Sequence, residues 1–181
     1  LPAMLNAGER MFAYPFEGYW EDVGTIDSLW EANMDLLNPK VPLDLSGETD
    51  KVYSRNPSMP PHYIGPNANI QNSLVSDGCD VDGRIEFSVL FPGVTIGTGA
   101  TVTDSILMPG ATIEDGATVE YAIVSENAVI KKNAHIGGRP DNIKEEGKWG
   151  IAVIGDGITV GEGCVVEPKA MIDADVTEVE K

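Results

Sequence analysis

The sequence predicts a mainly β protein, a parallel β-helix built from hexapeptide repeats, and three observations carry that prediction. Large aliphatics recur at a spacing of about six, at Ile64 and Ile70, Val75 and Val81, then Leu90, Ile96, Val102, Leu107, Ile113, Val119, Val124, Ile130 and Ile136, resuming at Ile154, Val160, Val166 and Ile172. Three residues after most of them stands Gly or Asn, as at Asn67, Gly78, Gly93, Gly116, Asn133 and Gly163, residues that tolerate positive φ at a tight corner. One residue later comes a second apolar, usually small, side chain: Ala68, Cys79, Val94, Ala100, Ala111, Ala117, Ala128, Ala134, Ile158, Cys164 and Ala170. Each unit is a short strand and a turn with both apolar positions inward, the signature of a solenoid.

The phase shows how units group. Leu90, Leu107 and Val124 lie seventeen residues apart, as two units of six and one of five, and the turn position of the shortened unit is neither Gly nor Asn (Ser105, Ala122). Three flat sides make a triangular coil. About six coils stacked at strand spacing, ~4.8 Å, form a prism on the order of 30 Å long, with aliphatics inside and polar sides.

The chain divides into three parts. Residues 1–38 have more aromatics and no hexad. Met11 to Tyr14 and Tyr19 to Val23 read as short strands around Pro15-Phe16-Glu17-Gly18, and Thr25 or Asp27 can cap a helix carrying Leu29, Trp30, Asn33, Met34 and Leu37, stopped by Asn38-Pro39. Strand, Gly turn and helix in that order suggest the edge of an α/β domain. Residues 39–62, with five prolines from Pro39 to Pro61, read as an extended linker with room for one strand at Lys51 to Ser54. Residues 63–181 are the β-helix, interrupted between Gly138 and Ala152 by a loop containing Arg139 and Trp149. Loops that project from solenoids often carry contacts, so Trp149 reads either as an interface anchor or as a cover for one side of the prism.

A formal net charge of −17 over 181 residues argues against nucleic acid and anionic membrane surfaces as partners. Cys79 and Cys164 occupy inward positions, which suits packing and a reducing cytoplasm. No apolar stretch approaches membrane-span length. The chain opens on Leu1 rather than Met, in an amphipathic stretch with Met4, Leu5, Met11 and Phe12, and so reads as the C-terminal fragment of something longer, proteolytic maturation being the alternative. The chemical candidate is Asp22, an acid at a strand end beside Gly24-Thr25. Mg²⁺ takes one or two carboxylates plus phosphate oxygens, so Asp22 reads as a metal-holding acid or as an ordinary capping one.

The six-residue unit resembles the hexapeptide-repeat family, whose β-helices are left-handed, against the usual right-handed rule for parallel crossovers. Further residues are more specific. Gly18-Tyr19-Trp20-Glu21-Asp22-Val23-Gly24-Thr25, then Leu29-Trp30-Glu31-Ala32-Asn33-Met34-Asp35-Leu36, closely resemble the end of the catalytic domain in bacterial glucose-1-phosphate adenylyltransferases (ADP-glucose pyrophosphorylases). Ser54-Arg55-Asn56-Pro57, Asn72-Ser73-Leu74-Val75-Ser76-Asp77-Gly78-Cys79 and Ser88-Val89-Leu90-Phe91 look like that family's linker and first coils. The resemblance implies a nucleotidyltransferase that joins ATP and glucose 1-phosphate into ADP-glucose and pyrophosphate, for glycogen or starch, in a homotetramer assembled and regulated partly through the β-helix. It implies that Asp22 is a catalytic, Mg²⁺-associated residue. It also places Glu126 and Gly155 where plant and enterobacterial relatives carry basic activator-binding residues, a departure that shifts attention to Lys131, Lys132 and Arg139 as a displaced anion site.

Three other readings remain. A hexapeptide acyltransferase would need His135, near a corner, as its base; a sugar nucleotidyltransferase of other specificity would share this architecture; and a structural assembly module would need neither. Tyr121, Phe87, Phe91 and Met108 on the prism sides suggest subunit contacts.

Overall fold

The structure is a computed structural model that describes residues 1–42, 57–142 and 149–177. The strand expected at Lys51 to Ser54, the Ser54-Arg55-Asn56 motif and Glu145 to Lys148 of the interrupting loop lie outside the described residues. Residues 63–172 wind into a parallel β-helix whose three sides are six-stranded parallel sheets, each strand two or three residues long. Strands of the first side open at Tyr63, Asp80, Thr95, Thr112, Val129 and Thr159; those of the second at Asn69, Arg84, Thr101, Thr118, His135 and Val165. The third side is formed by strands containing Leu74, Val89, Ile106, Ile123, Val153 and Met171. Six coils and a triangular section match the expectation from the hexads.

Parallel pairing in register aligns the inward side chains into columns. The first side contributes Ile64, Val81, Ile96, Ile113, Ile130 and Val160, and the third contributes Val75, Leu90, Leu107, Val124, Ile154 and Ile172. In the second column, Ile85 lies between Ile70 and Val102 and is fully buried, although the hexad passes over it. The reason is local: Val81 to Ile85 spans four residues where Ile96 to Val102 spans six, so this coil is two residues short at its first corner. Gly83 permits the tight passage, since a Cβ there would lie 2.5 Å from the Ala100 carbonyl oxygen. The small inward residues Cys79, Ala100, Ala111, Ala117, Ala128, Ala134 and Cys164 are buried beside these columns, and both thiols are free.

Each corner needs its own way of satisfying the backbone. At the first, Asp82 accepts from the Asn67 amide at 3.0 Å and Asp115 from the Thr98 amide at 3.1 Å, so a carboxylate in one coil receives the backbone of the preceding one. The five-residue corner between the second and third sides works differently. The left-handed residue there precedes the serine position and is not glycine: Asn72, Phe87, Asp104 and Tyr121 have φ of 40°, 45°, 48° and 47°. Just after it runs a serine ladder. Ser105 Oγ donates to the Thr103 carbonyl at 2.7 Å and accepts from the Ala122 amide at 3.1 Å, while Ser88 Oγ does the same with the Glu86 carbonyl and the Ser105 amide. Ser73 opens the ladder, bonding the Gln71 carbonyl and the Ser88 amide.

The N-terminal part departs from expectation. Met11 to Tyr14 and Tyr19 to Val23 are not strands; Phe12, Tyr14 and Trp20 are 83, 88 and 72% exposed. A strand is held by its neighbour's backbone, and among the described residues none runs alongside these segments. Besides a short exposed helix α1 (Pro2–Asn6), this region forms α2 (Ile26–Met34) and a 3₁₀ turn Asp35–Leu37. Among the described residues no helix is long and apolar enough to cross a membrane.

Helix α2 corrects a second expectation, that the prism sides are polar. Outward Val89, Ile106 and Ile123 of the third side are buried with Met34, Leu37 and Ile151, and Leu29, Trp30, Phe87, Phe91, Met108, Tyr121 and Trp149 pack around them. Phe87, Phe91, Met108 and Tyr121, expected at subunit contacts, therefore form the bed of a helix from the same chain.

Replacing Ser105 by Ala removes both ladder bonds at a buried corner and should destabilise the protein by about 1–3 kcal/mol. Ser73→Ala, at the half-exposed end where water can substitute, should cost less. Urea unfolding, read as a change in midpoint at constant slope, checks the ordering.

Candidate functional site

Asp22 lies three residues before Thr25, the cap of α2, in an exposed stretch. Its Oδ1 accepts from the Gly24 amide at 3.0 Å, and among the described residues no bond is made by Oδ2. Thr25 then caps the helix, resolving the choice between Thr25 and Asp27. Its Oγ1 accepts from the Ser28 amide at 3.2 Å, and Ser28 Oγ accepts from the Thr25 amide at 3.1 Å, a reciprocal pair that satisfies two amides at the helix start. Upstream, the Tyr19 hydroxyl donates to Asp35 Oδ2 at 3.0 Å, and burial followed by that bond raises its pKa. The six residues from Tyr19 to Gly24 are thus pinned at both ends to one helical unit.

That unit is fastened to the β-helix by Trp30. Its Nε1 donates to the Asp104 carbonyl at 2.7 Å, at the left-handed corner, and its ring stacks on Tyr121 with centroids 5.7 Å apart and planes at 27°. Trp149 also meets Tyr121, in an edge-on arrangement at 5.5 Å and 78°, and its Nε1 donates to the Gly138 carbonyl at 3.0 Å. Trp149 therefore covers a side of the prism. No sequence signal marked Asp104, because the non-glycine corner it occupies is visible only once the coils are closed.

The three basic candidates are not brought together. Lys131 Nζ lies 2.7 Å from Glu114 Oε1, and Lys132 Nζ lies 3.0 Å from Asp115 Oδ2 in the next position. The Lys132 bond lowers the Asp115 pKa and raises that of Lys132. Arg139 shares no partner with them: it stands 3.6 Å from Asp104 and 3.7 Å from Glu120. Asp104 is shifted the other way from Asp115. Burial raises its pKa, Arg139 opposes the rise, and Glu86 and Glu120 add to it.

His135 opens a strand of the second side, between Thr118 and Val165, rather than standing at a corner. Cys79 and Cys164 direct their sulfurs toward the carbonyls of Phe91 and Val176. Among the described residues no group of three or more His, Cys, Asp or Glu could hold a metal ion. A lone Asp22 suits a cation that takes most of its ligands from water and substrate phosphates, which is the habit of Mg²⁺.

Comparison with known proteins agrees with both halves of the molecule. Residues 1–39 match the nucleotidyl transferase family model, and residues 62–149 match the model of the GlmU-like C-terminal hexapeptide. The hexapeptide match fits a left-handed coil. The class is therefore that of a nucleotidyltransferase end joined to a left-handed hexapeptide β-helix. Within it, the chain is related to the bacterial glucose-1-phosphate adenylyltransferases and corresponds to a C-terminal portion of them. It is 45% identical over 170 residues to the protein of that name from Desulforamulus reducens, covering 93% of this chain and 40% of that one. It is 58% identical over 105 residues to the one from Clostridium beijerinckii, covering 58% and 27%, and 57% identical over 102 residues to that of Geobacillus stearothermophilus, covering 56% and 26%. The chain thus spans 40% or less of the length of these three relatives. A perosamine N-acetyltransferase structure from Caulobacter crescentus overlaps 63% of this chain and 49% of that one at 18% identity and a TM-score of 0.32.

For a carboxyl with a raised pKa, the charged form is the one the fold disfavours. Asp104 thus weakens the fold above its folded pKa, and the penalty fades as pH falls through that value. Asp104→Asn keeps a residue tolerant of positive φ and removes the charge. It should melt higher than the parent at pH 7, with the gap closing in acid, as scanning calorimetry at several pH values would measure.

Proposed function

We propose that this chain is the C-terminal part of a glucose-1-phosphate adenylyltransferase, which joins ATP and glucose 1-phosphate into ADP-glucose and pyrophosphate. The observation that carries the reading is the continuity of two matches along one chain, a nucleotidyl transferase end at 1–39 and a hexapeptide β-helix from 62, with a relative of that name matching over 93% of the chain. In this reading Asp22 would hold Mg²⁺ together with substrate phosphate oxygens, and the ion would supply positive charge against the phosphates. The chain's own contribution is positional. The Gly24 amide donates to Asp22 Oδ1 and so orients the carboxylate ahead of the helix start.

The β-helix serves assembly, as a homotetramer, and regulation. An anionic effector would reach Lys131, Lys132 or Arg139 only by exchanging with Glu114, Asp115, Asp104 or Glu120; the exchange is easiest at the exposed Lys132–Asp115 pair, which water and salt screen, and harder at Arg139, whose partners are largely buried.

The purified 181-residue chain should form no ADP-glucose from ATP, glucose 1-phosphate and Mg²⁺, because one carboxylate does not make a nucleotide site. In a longer polypeptide that includes this chain, Asp22→Asn should reduce kcat at least about a hundredfold, consistent with loss of a charge-stabilising group in phosphoryl chemistry. Synthesis by the isolated chain, or an unaffected Asp22→Asn enzyme, would overturn the respective assignments.

A further inference from the structure

Helix α2 is held unevenly. At Trp30 it is fastened by the 2.7 Å bond to the Asp104 carbonyl and by the stack on Tyr121, which Trp149 also contacts edge-on. At its first turn Ile26 packs against the same apolar cluster, beside a cleft of about 290 Å³ that Ile26 and Asp27 line together with Trp149, Ile151, Val153 and Met171. Apolar contact of this kind has no direction, whereas the hydrogen bond that fixes the helix's height and rotation on the prism is at Trp30. The Tyr19 to Gly24 segment in turn has no sheet partner among the described residues. Its two fixings, the Thr25 cap and the Tyr19 bond to Asp35, both lead back to α2 and its 3₁₀ extension.

We propose that Trp30 is a positioning residue for Asp22, transmitting the location of the left-handed corner at Asp104 and Tyr121 through α2 to the carboxylate. The proposal rests on the reading of Asp22 as the metal-holding acid. It makes Trp149 part of the same device, because its ring meets Tyr121, the residue on which Trp30 stacks. The indole N–H is the specific element, because a phenyl ring retains the stack but loses the bond to Asp104.

The test uses the longer enzyme and this chain side by side. In the enzyme, Trp30→Phe should lower kcat about tenfold and raise the Mg²⁺ concentration for half-maximal rate several-fold, with KM for glucose 1-phosphate unchanged, since displacing a catalytic group by a fraction of an ångström is enough for such a loss. Ile136→Val, at a fully buried position of the second column away from α2, controls for lost stability and should keep the parent's Mg²⁺ dependence. In the 181-residue chain, NMR order parameters across residues 19–24 should fall in Trp30→Phe and stay at parent values in Ile136→Val. Parental Mg²⁺ dependence in Trp30→Phe, or a matching shift in Ile136→Val, would overturn the positioning role while leaving the function intact. A wild-type enzyme that makes no ADP-glucose would instead sink the functional reading, and this proposal with it.

Discussion

A chain that turns three times per coil leaves corner amides outside the strand ladder, and where the corner is buried, as at Ser88 and Ser105, an amide without a partner costs about 1–3 kcal/mol. The prism depends on meeting that demand at every level of the stack. Strands do so through parallel pairing between coils, and the corners do so through side chains that reach into the neighbouring coil. Asp82 and Asp115 serve the first corner and Ser73, Ser88 and Ser105 the five-residue one. Each device joins successive coils, so the columns of aliphatics and the corner bonds set the same register. An Ile column cannot slip without breaking a serine ladder.

The five-residue corner has a second consequence. Shortening the turn forces Phe87, Asp104 and Tyr121 into the left-handed region, a conformation that costs roughly 1–2 kcal/mol for residues bearing a Cβ. Packing beneath α2 offsets that cost. The aromatic side chains of Phe87 and Tyr121 lie in the apolar bed beneath the helix, and the carbonyl of Asp104 receives the Trp30 indole. A strained corner and an apolar third side together make one docking surface, and the helix it receives leads directly to Asp22. The segment from Ile26 to Leu37 and the β-helix pack together at this contact, through the apolar bed and the Trp30 bond.

Much of this was legible in the residues. The hexads specify which side chains face inward because the β-helix repeats its geometry at every coil, so a periodic pattern maps onto a periodic structure. Thr25 as a cap and Asn38-Pro39 as a stop were legible because capping is local. Ile85 escaped because a two-residue shortening at Gly83 put it out of phase, and a period is blind to a coil that is short. Met11 to Tyr14 and Tyr19 to Val23 carry strand composition without strand structure, since pairing needs a neighbour that composition does not supply. Tyr121, Phe91 and Met108 were recognisable as apolar and outward, but what covers an outward face is a long-range matter.

The sequence by itself determined the coil, its triangular section, the inward columns and the place of Asp22 ahead of a capped helix, because all of these rest on spacing and nearest neighbours. Tertiary structure alone decided where that helix lies. It also decided that the left-handed corner falls on Asp104 and Tyr121, and that Lys131, Lys132 and Arg139 each face carboxylates from other coils. These outcomes depend on residues brought together from distant parts of the chain, as with the 74 positions between Trp30 and Asp104, and only closing the coils creates the surface on which they meet.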